Sequence, residues 1–301
     1  DGIESFALGT KIGGTGANDG NVVTNSGNDG ISLAGSGVSG YVIQGNIIGL
    51  DPDGSSGGGN FDVGLAILTG TGNTIGGTTA DARNVISKNW EGIEINTSNN
   101  TIQGNSLGNL DVYDSRFNLI GGTGPGEGNT YGTIQIDRAS DNLVIGNTTT
   151  HVRVIGWFGN GQPATNNRIG GPSAGERNYI TGYGTWGEHG VPSGTTVQIF
   201  DSQGTIIENN WIGTTPDGMA QGNQASTSGI GFEGENHGTL ILNNLIAGIL
   251  GHGIGPFGGY VWGTAIALGG TGGGITIRGN TIGLNAANEP VLGSVTGIGA
   301  Y

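Results

Sequence analysis

The chain has 301 residues, of which 68 are glycine and none is cysteine, so a disulfide framework and a thiolate metal site are both excluded. Nine basic residues against 23 acidic ones give a net charge of −14, which disfavours nucleic acid as a partner because phosphate backbones are repelled. No apolar stretch approaches the ~20 residues that a membrane-spanning helix needs. This composition, rich in Asn, Gly and Thr and poor in Lys, predicts a secreted protein of the extracellular space or the cell surface.

Two short motifs recur along the chain with fixed internal spacing. The first, IGGT or IGGP followed nine residues after its isoleucine by asparagine, occurs at Ile12–Asn21, Ile75–Asn84, Ile120–Asn129 and Ile169–Asn178. The second, Asn-x-x-Gly, occurs at Asn46–Gly49, Asn105–Gly108, Asn210–Gly213 and Asn280–Gly283. Fixed repeats of this kind indicate one supersecondary unit that is stacked many times.

Short strands with alternating apolar positions lie between the motifs, so one face of each points inward and the other outward. They are predicted at Gly30–Leu33, Gly64–Ile67, Gly92–Ile95, Thr133–Ile136, Thr196–Ile199, Gly229–Phe232 and Thr264–Leu268. A second strand and a Gly-rich corner follow each one, which gives a circuit of ~20–35 residues. Asparagines at equivalent corners are expected to stack by amide hydrogen bonds, namely Asn73, Asn100, Asn118, Asn142 and Asn167.

This pattern resembles the right-handed parallel β-helix superfold of pectate lyases, polygalacturonases, alginate epimerases and phage tailspikes. It is still more similar to the Asn/Gly-rich repeats of large secreted bacterial surface proteins. The resemblance covers the whole chain and implies an all-β solenoid of about ten to thirteen rungs. Because a solenoid grows in one dimension, we predict a single domain over residues 1–301. The superfold hosts enzymes, adhesins and inert stalks, so the resemblance does not decide the function.

The two ends of the chain lie at the same phase of the repeat. Asp1-Gly2-Ile3 and Thr296-Gly297-Ile298 both match the strand start at Asp29-Gly30-Ile31, and no capping helix is recognisable. Uncapped solenoid ends expose apolar columns and open strand edges. The sequence therefore predicts either a segment of a longer array or a protein that assembles head to tail into filaments.

The outward side chains of the predicted strands suggest where chemistry is located. The first predicted outward row is Ser32, Ala66, Glu94, Gln135, Gln198, Gly231 and Ala265, and the second is Ala34, Leu68, Asn96, Asp137, Phe200, Glu233 and Ala267. A glycoside hydrolase needs two carboxylates ~5–9.5 Å apart. The catalytic candidates are Asp137, Asp201 and Glu233, accompanied by Arg138, Glu235, His237 and His252. The competing interpretation is that these charges only keep an exposed sheet soluble.

Two insertions, Thr181–Gly194 and Gly251–Gly263, carry aromatic residues, on which sugar rings stack. The predicted substrate-binding residues are Trp157, Tyr183, Trp186, Tyr260 and Trp262, although the same rings would also serve to cover a sheet face. Gly251-His252-Gly253 resembles a polygalacturonase motif, whose accompanying Asn-Thr-Asp and Asp-Asp motifs are missing here.

The Pro-Asp-Gly sequences at Asp53 and Asp217 offer oxygen ligands of the type Ca²⁺ prefers, but they are first of all turn formers. We therefore expect no cofactor and no dedicated metal site. Three functions stay open: a structural or adhesive solenoid, a polysaccharide hydrolase or lyase, and a carbohydrate-binding module that stacks sugars without turnover.

Overall fold

The computed structural model describes residues 1–35, 39–157, 159, 161–182, 194–220, 228–249, 253–254, 260–261, 263–291 and 296–300. The chain divides into two compact units, Asp1–Asn147 and Thr148–Tyr301. Both units are built from parallel strands, and one 3-10 helix, Ala174–Glu176, is found among the described residues. No helix in this part of the chain is long and apolar enough to cross a membrane.

In the first unit, the strands form three parallel sheets that the chain visits in turn. The first sheet contains β1 (Ile3–Ser5), β4 (Ile31–Leu33), β7 (Val63–Ile67), β10 (Glu91–Ile95), β13 (Asn109–Tyr113) and β15 (Thr133–Asp137). The second contains β2 (Lys11–Gly13), β5 (Val42–Gln44), β8 (Thr74–Gly76), β11 (Thr101–Gln103), β14 (Leu119–Gly121) and β16 (Leu143–Ile145). The third contains β3 (Val22–Val23), β6 (Ile47–Ile48), β9 (Val85–Ile86) and β12 (Ser106–Leu107).

The second unit repeats this order with an additional strand in several circuits. Its first sheet contains β18 (His151–Ile155), β22 (Thr195–Phe200), β26 (Ser228–Glu233), β32 (Thr264–Leu268) and β36 (Thr296–Ala300). Its second contains β20 (Arg168–Gly170), β24 (Ile206–Glu208), β28 (Leu240–Leu242) and β34 (Thr276–Arg278), and its third β17 (Thr148–Thr149), β21 (Tyr179–Ile180), β25 (Trp211–Ile212), β29 (Leu245–Ile246) and β35 (Thr281–Ile282). The additional strands are β19 (Ala164–Thr165), β23 (Ser202–Gln203), β27 (Glu235–His237) and β33 (Thr271–Gly273), and a short antiparallel pair joins β30 (Gly253–Ile254) to β31 (Tyr260–Val261).

A coil of strands in three sheets confirms the predicted all-β, right-handed parallel β-helix. The first sheet has six strands in the first unit and five in the second. Together these eleven strands lie within the predicted ten to thirteen rungs. Two of these long strands, β13 and β18, were missing from the sequence prediction. Neither begins with Gly-Ile or with the threonine that replaces it at Thr133, Thr196 and Thr264. In addition, β13 lies in a circuit that advances only 18 residues from Asn100 to Asn118.

The core of each unit is a set of apolar columns that run from rung to rung. In the first sheet of the first unit, the register aligns Ile3, Ile31, Leu65, Ile93, Leu110 and Ile134. In the second unit it aligns Val152, Val197, Ile230, Ile266 and Ile298. Isoleucine, valine and leucine suit these positions because branched side chains pack well on a pleated surface that is covered on its inner side.

Both sequence motifs place an asparagine in one and the same ladder at a corner of the coil. In the first unit, the backbone N–H and side-chain amide of each member donate to Oδ1 of the next, through Asn21, Asn46, Asn84, Asn105, Asn129 and, last, Asn147. The IGGT motif is therefore the Asn-x-x-Gly corner with a longer loop between its strand and its asparagine. In the second unit, an equivalent ladder joins Asn178, Asn210, Asn244 and Asn280.

A second ladder in the first unit confirms the predicted stacking of four of the five corner asparagines, and that of Asn167 stays a prediction. Asn73 donates to Asn100, Asn100 to Asn118 and Asn118 to Asn142, with side-chain N···O distances of 2.8, 2.9 and 3.1 Å. These asparagines are almost completely buried. Their stacking satisfies buried amides and backbone N–H groups at the turns, where strand pairing cannot do so.

Candidate functional site

The outer face of the first sheet carries the densest group of ionisable side chains in the first unit. Since Ile93, Leu110 and Ile134 point inward, the alternating residues point outward. The register aligns Glu94 with Asp111 and Asp111 with Gln135. One row further along the strands, Tyr113 lies opposite Asp137.

Burial and neighbouring charges shift the pKa of two groups on this acidic face. Burial, followed by the charges of Asp111, Glu91, Asp137 and Glu94, raises the pKa of Tyr113 well above its ordinary value. Burial, followed by the charges of Glu94 and Asp62, raises the pKa of Glu91. The carboxylates on this face are thus close enough to influence one another.

The predicted catalytic residue Asp137 is engaged in an ion-pair network. Its Oδ1 lies 2.9 Å from Nη1 of Arg138, and the same guanidinium makes two further bonds, each of 3.0 Å, to the carboxylate of Asp114. Arg138 has a left-handed backbone with φ of 49°. This ion-pair network lies at a left-handed corner after β15, and the catalytic role of Asp137 stays a prediction.

In the second unit, the outer face brings together Arg153, Gln198 and Glu233. Arg153 lies opposite Gln198 in the register, and its Nε donates to Oε1 of Gln198 at 3.0 Å. Glu233 lies opposite Phe200 on the next row. Burial raises the pKa of Glu233, while a hydrogen bond with Gln198 and the charge of Arg153 act in the opposite direction. A half-buried carboxyl group with a raised pKa is the form that a general acid takes.

Asp201 and the residues after Glu233 lie at the corners of two successive rungs. Asp201 has a left-handed φ of 48°, and its Oδ1 accepts a 2.7 Å hydrogen bond from the backbone N–H of Glu235. The imidazole Nε2 of His237 lies 2.9 Å from Oε1 of Glu235. Asp201 thus ties two successive rungs together, and the pairing of Asp201 with Glu233 as two catalytic carboxylates stays a prediction.

Several predicted residues are outside the part that the structure describes. His252, Tyr183, Trp186 and Trp262 lie outside the described residues, and Tyr260 is described only as part of β31. Trp157 is exposed and pairs through its backbone with Gln162. The aromatic binding site therefore stays a prediction.

The register corrects the two outward rows expected from the sequence. Asp111 and Arg153 belong to the first row and were missed, because β13 and β18 were not recognised as strands. The partner of Gly231 is Ala267, not Ala265, and Ala265 is fully buried. A short alternating segment allows pairing in more than one register, and a shift of two residues preserves the facing pattern.

In the two Pro-Asp-Gly turns, the aspartate carboxylate accepts hydrogen bonds from residues of the same turn. Oδ1 of Asp53 accepts the backbone N–H of Ser55, and Oδ1 of Asp217 accepts the Thr215 hydroxyl and the backbone N–H of Met219. These hydrogen bonds lower the pKa of both aspartates. Among the described residues, no group of three or more His, Asp or Glu side chains is arranged to hold a metal ion.

Comparisons with known proteins leave this geometry as the main guide to function. No protein-family model matches the chain, and no curated protein or solved structure matches it.

Proposed function

We propose that this protein is an extracellular structural solenoid whose end rungs accept further rungs, so that it assembles head to tail. The single observation that carries the proposal is the direction of the asparagine ladder. Each rung donates its N–H and side-chain amide to Oδ1 of the following rung. Asn46, for example, accepts from Asn21 on one side and donates to Asn84 on the other.

The two sides of a ladder rung are thus complementary in hydrogen bonding. A further rung beside Asn280 would accept from its backbone N–H, and a further rung beside Asn21 would donate to its Oδ1. The apolar columns show the same complementarity, since that of the first unit begins at Ile3 and that of the second ends at Ile298, which is 51% exposed. A contact between unlike ends that does not close into a ring produces a filament.

The state of the candidate carboxylates supports a structural role over a catalytic one. Asp137 is held by Arg138, and Asp201 accepts a backbone N–H in a turn. Composition supports the extracellular placement, because a chain without cysteine and with few lysines suits a secreted bacterial surface protein.

Sedimentation velocity over a concentration series tests the assembly. The wild-type protein is expected to show species that grow with concentration, and Ile298→Lys is expected to remain small, because a charge would then lie in the apolar contact. Met219→Lys is the matched control, since Met219 is exposed on a turn of the second unit. Growth that survives Ile298→Lys, or a wild type that remains monomeric at all concentrations, contradicts the proposal.

A polysaccharide-active enzyme is the second candidate, and Glu233 favours it. Its raised pKa and its neighbours Gln198 and Arg153 provide an acid beside a hydrogen-bond donor and a positive charge. A turnover panel of neutral and acidic polysaccharides with wild type and Glu233→Gln separates the roles. Turnover that disappears in Glu233→Gln while binding persists supports catalysis, and binding without turnover in either protein supports a binding module.

A further inference from the structure

Two aromatic side chains in the first unit are presented to solvent at equivalent corners of adjacent rungs. Phe61 is 81% exposed and Trp90 is 71% exposed. Each directly follows a corner asparagine, Asn60 or Asn89, and the side-chain amide of Asn60 donates to Oδ1 of Asn89 at 2.8 Å. The backbones that carry the two rings therefore lie on adjacent rungs, which are ~4.8 Å apart along the stack, and the register places Trp90 beside Asp62.

Rings exposed to this extent do not stabilise the fold that carries them. Neither Phe61 nor Trp90 makes a ring contact with another described side chain, and burial of either ring against a ligand would remove a large apolar area from water. Exposed aromatic residues of this kind are typical of the centre of a binding surface.

Carboxylates that are close to the two rings in the chain indicate the charge of a suitable ligand. Asp62 follows Phe61 and Glu91 follows Trp90 in the chain, and the charges of Asp62 and Glu94 both act on Glu91. Asp111 lies opposite Glu94 on the next strand. Residues 60–62 and 88–94, which carry the two rings, contain the carboxylates of Asp62, Glu91 and Glu94 and one basic residue, Lys88.

We propose that Phe61 and Trp90, together with the carboxylates of Asp62, Glu91 and Glu94, bind a polysaccharide built from protonated amino sugars. The apolar face of each sugar ring packs on an aromatic ring, and the ammonium groups pair with the carboxylates and are attracted to the indole face. A polymer suits the site because an aromatic residue followed by a carboxylate occurs on each of two adjacent rungs, as sugars repeat along a chain. This binding needs neither the end-to-end assembly nor the chemistry of Glu233.

A chitosan hexamer at a mildly acidic pH, where its amines are protonated, is the direct probe. The fully N-acetylated hexamer has the same rings without the charges, and hexalysine has the charges without the rings. Isothermal titration is expected to give binding of the chitosan hexamer, and at least about tenfold weaker binding of both controls.

Variants locate the site on the molecule. Trp90→Ala and Phe61→Ala are each expected to weaken binding of the chitosan hexamer by at least about tenfold, and the double variant Glu91→Gln/Glu94→Gln by a similar factor with a smaller salt dependence. Phe117→Asn is the matched control and should bind as wild type does, because Phe117 is 55% exposed at a different corner and its left-handed φ of 60° suits asparagine. Circular dichroism confirms that each variant is folded.

Three results would overturn the proposal. Unchanged affinity in Trp90→Ala and Phe61→Ala would mean that the acidic surface attracts any polycation. Hexalysine that binds as tightly as the chitosan hexamer, with the same loss in Trp90→Ala, would assign the surface to a basic polypeptide. Concentration-dependent dimers that Trp90→Ala abolishes would assign it to a second copy of this chain.

Discussion

Removing one ladder asparagine should cost far more stability than its size suggests. Asn105 is 2% exposed, and its Oδ1 accepts both the backbone N–H of Asn84 at 3.3 Å and the side-chain amide of Asn84 at 2.9 Å. Its own amide donates to Asn129, to the carbonyl of Ile75 and to the carbonyl of Gln103. Asn105→Ala leaves two buried donors of Asn84 without an acceptor, at about 1–3 kcal/mol each, so we expect a loss of about 2–6 kcal/mol.

Urea unfolding followed by circular dichroism and tryptophan fluorescence measures this loss. The control is Asn96→Ala, because Asn96 is exposed and its amide donates only to the neighbouring carboxylate of Glu94. Substitutions at such surface positions change the free energy of unfolding by about 0.5 kcal/mol or less. If Asn105→Ala and Asn96→Ala unfold at the same urea concentration, the ladder does not stabilise the coil and the reasoning is refuted.

Two further perturbations follow from the structure. Gly121→Ala should destabilise the protein more than Gly72→Ala, because both glycines have positive φ but only at Gly121 would a Cβ overlap the carbonyl oxygen of Ile145; Gly72→Ala should incur only the left-handed backbone cost of about 1–2 kcal/mol. Equal losses in thermal or urea unfolding would contradict this. Because burial raises the pKa of folded Glu233, its ionisation lowers stability as pH rises from its ordinary pKa through the raised one. Glu233→Gln should remove that loss. The urea midpoint of the variant should therefore rise above that of the wild type as the pH approaches neutral. A variant that is less stable than the wild type at neutral pH would contradict the raised pKa of Glu233.

The repeated coil was predictable because its signal is spread over the whole chain. Strand alternation, left-handed glycine and asparagine corners and the stacking of Asn73, Asn100 and Asn118 all follow from local rules. It was not predictable that the two motifs form the same corner, because the loop between Ile75 and Asn84 is longer than the one before Asn105.

The side-chain environment of the outer face was harder to predict than the coil. Asp111 was missed because the short circuit around β13 departs from the usual length, and only the register aligns it with Glu94. Asp137 was selected from the sequence for its charge. Its ion pair with Arg138 depends on the conformation of Arg138, which the sequence does not show. Phe61 and Trp90 each stand alone among polar residues, and only the pairing of Asn60 with Asn89 shows that they lie on adjacent rungs.

Negative-stain electron microscopy of the purified chain across a concentration series tests the structural proposal most directly. If Asn280 and Ile298 of one copy receive Asn21 and Ile3 of the next, unbranched filaments should appear, lengthen with concentration and show an axial repeat of one subunit. Discrete particles of one subunit at every concentration would contradict end-to-end assembly.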